Sequence, residues 1–177
     1  QYATTVSDVR QKNQAVVKQG WEALGFEVEL LQIDSAIFFD PSPGVDQNFY
    51  HMYWDVHEYA WSPAGPYPLS YFLLWVSHNG ENIAQKENNW AQRNELRYNN
   101  PAFDALYDEA AQATDPQRAN ELFIQMNDML IEDVAVIPLV QRASEKYGIN
   151  KSLNKENIAG GPFDALYWNI ANWNRVS

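Results

Sequence analysis

The chain contains no cysteine among its 177 residues. Disulfides, thiolate metal sites and a cysteine nucleophile are excluded together. Basic residues are scarce: 12 Lys and Arg stand against 23 Asp and Glu, for a formal net charge of -11. A surface that acidic repels phosphate backbones and anionic headgroups, so neither nucleic acid nor a membrane surface is an expected partner. Long apolar runs are missing too. The longest stretches, around Phe72–Val76 and Val134–Val140, fall far short of the ~20 residues a membrane helix needs. The chain opens on Gln1-Tyr2-Ala3 without an initiator Met or a basic-then-apolar leader. The expectation is a piece of a longer protein, with any export signal upstream. Also missing are a Gly-x-Ser-x-Gly elbow, a Gly-rich phosphate loop and a dinucleotide fingerprint. No cofactor is expected.

What is abundant is apolar and aromatic surface. Hydrophobic residues are 46% of the chain, enough for a core, and aromatics are 14%, with seven Trp. So many indole N–H groups cannot all find partners inside one core, so some Trp are expected to face a ligand or another domain.

Helical spacing begins at Asp8. Ser7 can cap a helix running to Leu24, with Val9, Val16, Val17, Gly20 and Leu24 near one face and Gly25 as the left-handed stop. Phe26–Ile33 roughly alternates and reads as a half-buried strand, and there is room for a short strand before Ser7. Asp40-Pro41-Ser42-Pro43-Gly44 is turn chemistry. A second strand is expected from Phe49 to Tyr59 or Ala60, ended by the Pro-rich run Trp61–Pro68. Pro68 starts a short apolar helix through Trp75, and His78–Asn99 reads as a polar surface loop. Two helices then carry matching start signals. Asn100-Pro101 opens one with Phe103, Leu106, Tyr107 and Ala110 inward; Asp115-Pro116 opens the next with Ala119, Leu122, Phe123, Met126 and Leu130 inward. Asp133–Val140 and Ala143–Ile149 have strand composition, Asn154–Pro162 is a loop, and the tail Phe163–Trp173 is rich in aromatics. Helices and strands interleave, so the fold class is α/β.

Four segments resemble family 5 of the bacterial extracellular solute-binding proteins, the receptors of ABC importers. They are Ala23-Leu24-Gly25 with Phe26–Ile33; Met52–Trp61 with its Pro-rich turn and Tyr71-Phe72-Leu73; Tyr98-Asn99-Asn100-Pro101-Ala102-Phe103-Asp104-Ala105-Leu106; and Asp115, Arg118 and Leu130-Ile131-Glu132-Asp133 into Ile137-Pro138-Leu139. The resemblance implies one lobe of a two-lobed, type II periplasmic-binding-protein-like fold, with a mixed sheet and flanking helices. Residues 1–142 would be the C-terminal lobe and 143–177 a segment returning to the other lobe. It also implies an extracytoplasmic, monomeric receptor that closes on a peptide or oligosaccharide by hinge motion and hands it to a membrane permease, with no covalent step.

Within that resemblance Trp61 matches the Trp that lines the cleft of peptide receptors. Ala64-Gly65 stand where those receptors place an acidic residue, and Glu58 stands where some place an Arg. These departures argue against ordinary free peptides and raise oligosaccharides as a rival ligand. The residues expected to face ligand are Trp61, Tyr59, Tyr67 and Glu58.

Other readings stay open. A glycosidase would need two facing carboxyl groups about 5–10 Å apart; Asp104, Asp108, Glu109, Glu121 and Asp128 fall on helix surfaces. An interaction module would use the surplus Trp as a docking patch. His51, Asp55 and His57 share a strand face, yet residues four apart in a strand lie about 13 Å apart, which keeps His51 from a common metal. Trp54, between Met52 and Val56, is expected in the core.

Overall fold

The computed structural model describes residues 1–61, 65, 67–140, 148–158 and 169–176. The chain is α/β. A three-stranded sheet has the order β2-β1-β3, from β1 (Tyr2–Thr5), β2 (Leu30–Ile33) and β3 (Val56–Glu58). The helices are α1 (Asp8–Ala23), α2 (Ser35–Phe38), α3 (Leu69–Phe72), α4 (Pro101–Gln112) and α5 (Pro116–Glu132).

Both strand pairings are parallel, Tyr2 opposite Leu30 on one side and Val56 on the other. The expected mixed sheet is therefore corrected to a parallel one among the described residues. Among the described residues, the run that could have supplied an antiparallel return does not pair. Asp133 ends α5, Val134 turns at a positive φ of 53°, and Pro138 has no N–H to donate. Most of the other candidate, Ala143–Ile149, lies outside the described residues, as do much of the Pro-rich turn, the Gly160-Gly161-Pro162 break and the first part of the aromatic tail.

The helix α1 ends as its sequence requires, with Gly25 at φ 93° just beyond it. Its orientation differs from the pattern. Val9, Val16 and Leu24 are exposed, and the face toward the sheet carries Asn13, Gln14 and Trp21, a rotation of roughly a quarter turn from the apolar stripe. The anchor is Gln14, whose amide donates to the carbonyls of Tyr2 (2.8 Å) and Leu31 (3.3 Å) on adjacent strands. Trp21 meets Tyr2 ring to ring at 5.4 Å. Three strands of three or four residues are too narrow to cover an apolar stripe, so polar clamps set the helix instead.

The expected long strands shrink to short ones. β2 can extend no further than its one partner, β1, allows. Before β3, the backbone of Asn48–Trp54 bends so that Phe49 and Trp54 stack on Phe38 of α2, at 5.8 and 5.7 Å between centroids. The unexpected α2 is capped by Asp34, whose carboxylate accepts from Ala36 N–H at 2.8 Å.

The second core is helical. Phe103, Ala110, Ala119, Leu122, Phe123, Met126 and Leu130 are buried as the periodicity predicts, packed with Phe72, Trp75 and Val76. Asn100 and Asp115 both cap through their side chains, accepting from Ala102 and Gln117 N–H at 3.1 and 3.0 Å. The residues expected to form a surface loop, His78–Asn99, are partly interior. Asn82 donates to Leu73 and Val76 carbonyls, and Asn94 to Val76 and Tyr98 carbonyls. Asp104, expected on a solvated face, is buried and accepts from Ser77 N–H, Ser77 Oγ and His78 N–H.

Residues 148–158 and 169–176 bond to one another: Asn154 N–H to Asn174 O, Val176 N–H to Ser152 O, and Asn169 Nδ2 to Asn157 O.

Candidate functional site

The carboxyl end of β3 delivers Glu58, Tyr59, Ala60 and Trp61 in succession, and strand alternation sends the first two to opposite faces. Glu58 points toward α1. Its Oε2 accepts from the Tyr2 hydroxyl at 2.5 Å and its Oε1 from Asn13 Nδ2 at 3.1 Å. Both carboxylate oxygens are thus engaged inside the sheet–helix layer. Burial, reinforced by the Glu58 carboxylate, pushes the Tyr2 phenol well above its ordinary range.

Tyr59 turns into the aromatic core against Phe38, Phe39, Phe49 and His57. Its hydroxyl donates to Glu95 Oε1 at 2.8 Å. Burial and the adjacent Glu95 raise the Tyr59 phenol, and burial raises the Glu95 carboxyl above the usual carboxylate range. Trp61 follows, 46% exposed, its ring edge-on to Tyr59 at 6.1 Å. The result is an open indole standing on a ring that is fixed at both ends, by packing on one side and by a buried carboxyl on the other.

Tyr67 does not join this group. Its ring stands edge-on to Phe123 at 5.0 Å, and its hydroxyl donates to Ala110 O at 3.5 Å. It belongs to the helical core, half-exposed. Of the four expected site residues, Tyr59 and Trp61 are brought together, Glu58 faces the other side of the sheet, and Tyr67 lies against α4 and α5. Ala64, beside the position where a peptide receptor carries its acid, is outside the described residues.

The sequence reading missed Glu95, which sits in what looked like a solvated loop. Its neighbours carry the missed signal: Asn94 Nδ2 donates to Val76 O and the Tyr98 ring stands edge-on to Phe103, which ties the segment to the helical core, while Arg97 Nη2 donates to His51 O at 2.7 Å on the sheet side. Residues 94–98 therefore strap the two cores together beneath Tyr59. His51, read as a strand residue, is fully buried instead, its ring 3.9 Å from Trp90 and neither ring nitrogen hydrogen-bonded. Burial lowers its proton affinity. Trp54 is in the core as expected, with its indole N–H unpartnered.

No group of three or more His, Asp or Glu among the described residues is arranged to hold a metal ion. No described helix is long and apolar enough to cross a membrane. No family model, curated protein or solved structure matches this chain.

Proposed function

We propose that this chain forms one wall of the ligand cleft of an extracytoplasmic solute-binding receptor, the capture component of an ABC importer, and that it binds without catalysing a reaction. The observation that carries the reading is the placement of Trp61: a half-open indole just past the carboxyl end of a parallel strand, held on Tyr59. Ligands of open α/β sheets collect outside the carboxyl ends of strands, and rigid exposed aromatics favour recognition. The ordered resemblance of four segments to solute-binding family 5 supports the same reading. The lobe would be the type II one, closing against its counterpart, acting as a monomer and docking on a membrane permease.

The ligand is a peptide or an oligosaccharide. With both oxygens of Glu58 engaged by Tyr2 and Asn13, stacking on Trp61 and hydrogen bonds rather than a salt bridge hold it, which favours the saccharide. A thermal-shift panel of short peptides and di- to tetrasaccharides tests this, because a ligand that binds the folded state raises its melting temperature. The expected result is a rise with one ligand class that is diminished in Trp61→Ala. A Trp61→Ala protein that binds as tightly as the parent would remove the site.

A further inference from the structure

A second concavity lies elsewhere, along β2. Gln1, Leu31, Gln32, Ile33, Asp46, Gln47, Tyr53 and Trp54 enclose about 380 Å³, at the small end of the ~300–1,000 Å³ usual for ligand pockets. None of the β3-end residues contributes, so this cleft does not depend on the reading of Trp61.

Its chemistry is selective. The lining holds no Lys or Arg, and its one cation, the Gln1 ammonium, is paired with the Asp55 carboxylate at 2.5 Å, which leaves little for a phosphate or carboxylate. The polar side chains are three carboxamides, the Tyr53 phenol and one carboxylate; Gln1 Nε2 donates to Glu29 and Gln32 Oε1 accepts from Gln11, both at 2.9 Å. Amides both donate and accept, as hydroxyls do, and the ionised carboxylate is a strong acceptor for O–H. Asp46 is 80% exposed at its side chain, and Nδ1 of the buried His51 lies 3.7 Å away, beyond hydrogen-bond reach. The carboxylate is left open to solvent. Tyr53 is 59% exposed and offers a ring face, with Trp54 beside it as the buried floor.

The strand edge adds main-chain groups. Tyr2 N–H donates to Glu29 O and Val6 N–H to Ile33 O, so the odd-numbered residues of β2 direct their backbone groups to β1. Leu30 and Gln32 direct theirs outward, where no described strand pairs with them. Gln32 therefore presents both a backbone N–H and a C=O along the cleft. Unpaired backbone groups, amides, one free carboxylate and an exposed phenol ring, with the only cation of the lining paired to Asp55, match the hydroxyl-studded edge and C–H face of a sugar.

We infer that the β2-edge cleft is a binding site for a small neutral saccharide, one or two pyranose rings, with Asp46 accepting from a pair of hydroxyls and Tyr53 stacking on a ring face. The rival occupant is an organic cation drawn to Asp46 and the aromatics.

Titration of the full chain with cellobiose and with maltose, followed by NMR of the indole and side-chain amide signals, tests the inference. The Gln47 and Trp54 signals should move at millimolar sugar, independently of any response of the Trp61 indole. Asp46→Asn should weaken the response by about tenfold or more, the loss expected for a charge-assisted hydrogen bond, and Tyr53→Ala should weaken it too, with a thermal melt checking the fold because the Tyr53 ring also packs on His51 and Trp90. Trp61→Ala should leave the response unchanged. The inference fails if neither sugar moves these signals, if both cleft variants respond like the parent, or if tetramethylammonium or spermidine binds there in preference to sugar. A shift confined to Trp61 would support the site at β3 and overturn this one.

Discussion

The two cores of this chain are built on different principles. The helical core, around α4 and α5, is assembled from neighbours in sequence: capped starts, helical periodicity, and a short turn between antiparallel partners. The sheet core is assembled from distant pieces, with Phe38, Phe49, Trp54 and Tyr59 stacked on strands of three or four residues. Local order makes the first robust and plain. The second depends on rings finding one another across the chain, and it is the half that carries the two aromatic surfaces proposed to bind ligand, at Trp61 and at Tyr53. The proposed recognition chemistry sits where local secondary structure is weakest.

The largest effect should come from removing the ring at the centre of the sheet core. Phe38 is fully buried and touches Phe39, Phe49, Trp54, His57 and Tyr59. Phe38→Ala should cost about 3–5 kcal/mol, with amide exchange accelerating in β1 and β3 before α4 and α5. Equal acceleration in both halves would show that the strap at residues 94–98 makes them one cooperative unit, and the contrast between the cores would then be architectural only.

Acid should separate the cores as well. Burial among Phe38, Phe49, Trp54 and Tyr59 drops the proton affinity of His57 from its ordinary 6.5 to about 4. The folded protein holds this imidazole neutral, while the unfolded chain protonates it below about 6.5. The stabilisation is thus complete above that pH and is lost as pH falls toward 4, at a slope approaching ~1.4 kcal/mol per unit. Glu95 works in the opposite sense. Its raised proton affinity favours the fold at low pH, and that contribution fades as pH rises. Denaturant melts of His57→Gln across pH 4–7 should lose the acid-side slope; an unchanged slope would place the acid sensitivity elsewhere.

How far the sequence foretold these features follows the same divide. Asn100-Pro101 and Asp115-Pro116 announced two helices because capping and proline act within a few residues, and the inward faces of both followed from period alone. α1 was legible as a helix but not in orientation. Its apolar stripe faces solvent because Gln14 clamps it to Tyr2 and Leu31, a contact that spacing cannot show. The strand pattern over Phe49–Tyr59 overran because ring stacking on Phe38 bends the backbone before the ladder can form. At the site, Trp61 could be read from the strand end, whereas Tyr59, expected to face ligand, packs into the core beneath it. The partners of Glu58 and the buried Glu95 could not, since each depends on a residue more than 30 positions away.

The smallest effect belongs to the helical core and checks that its order is local. Asp115 accepts from Gln117 N–H and stands at the start of α5, where an unmet donor would otherwise remain. Asp115→Ala should cost about 1 kcal/mol, leaving the saccharide and Trp61 responses unchanged because nothing in either site touches this cap. Thermal melts read the stability and the NMR titration reads the site. A loss of binding in this variant would mean that the frame of α4 and α5 governs the aromatic surfaces through the strap at residues 94–98. The two cores would then be coupled in function despite their different construction.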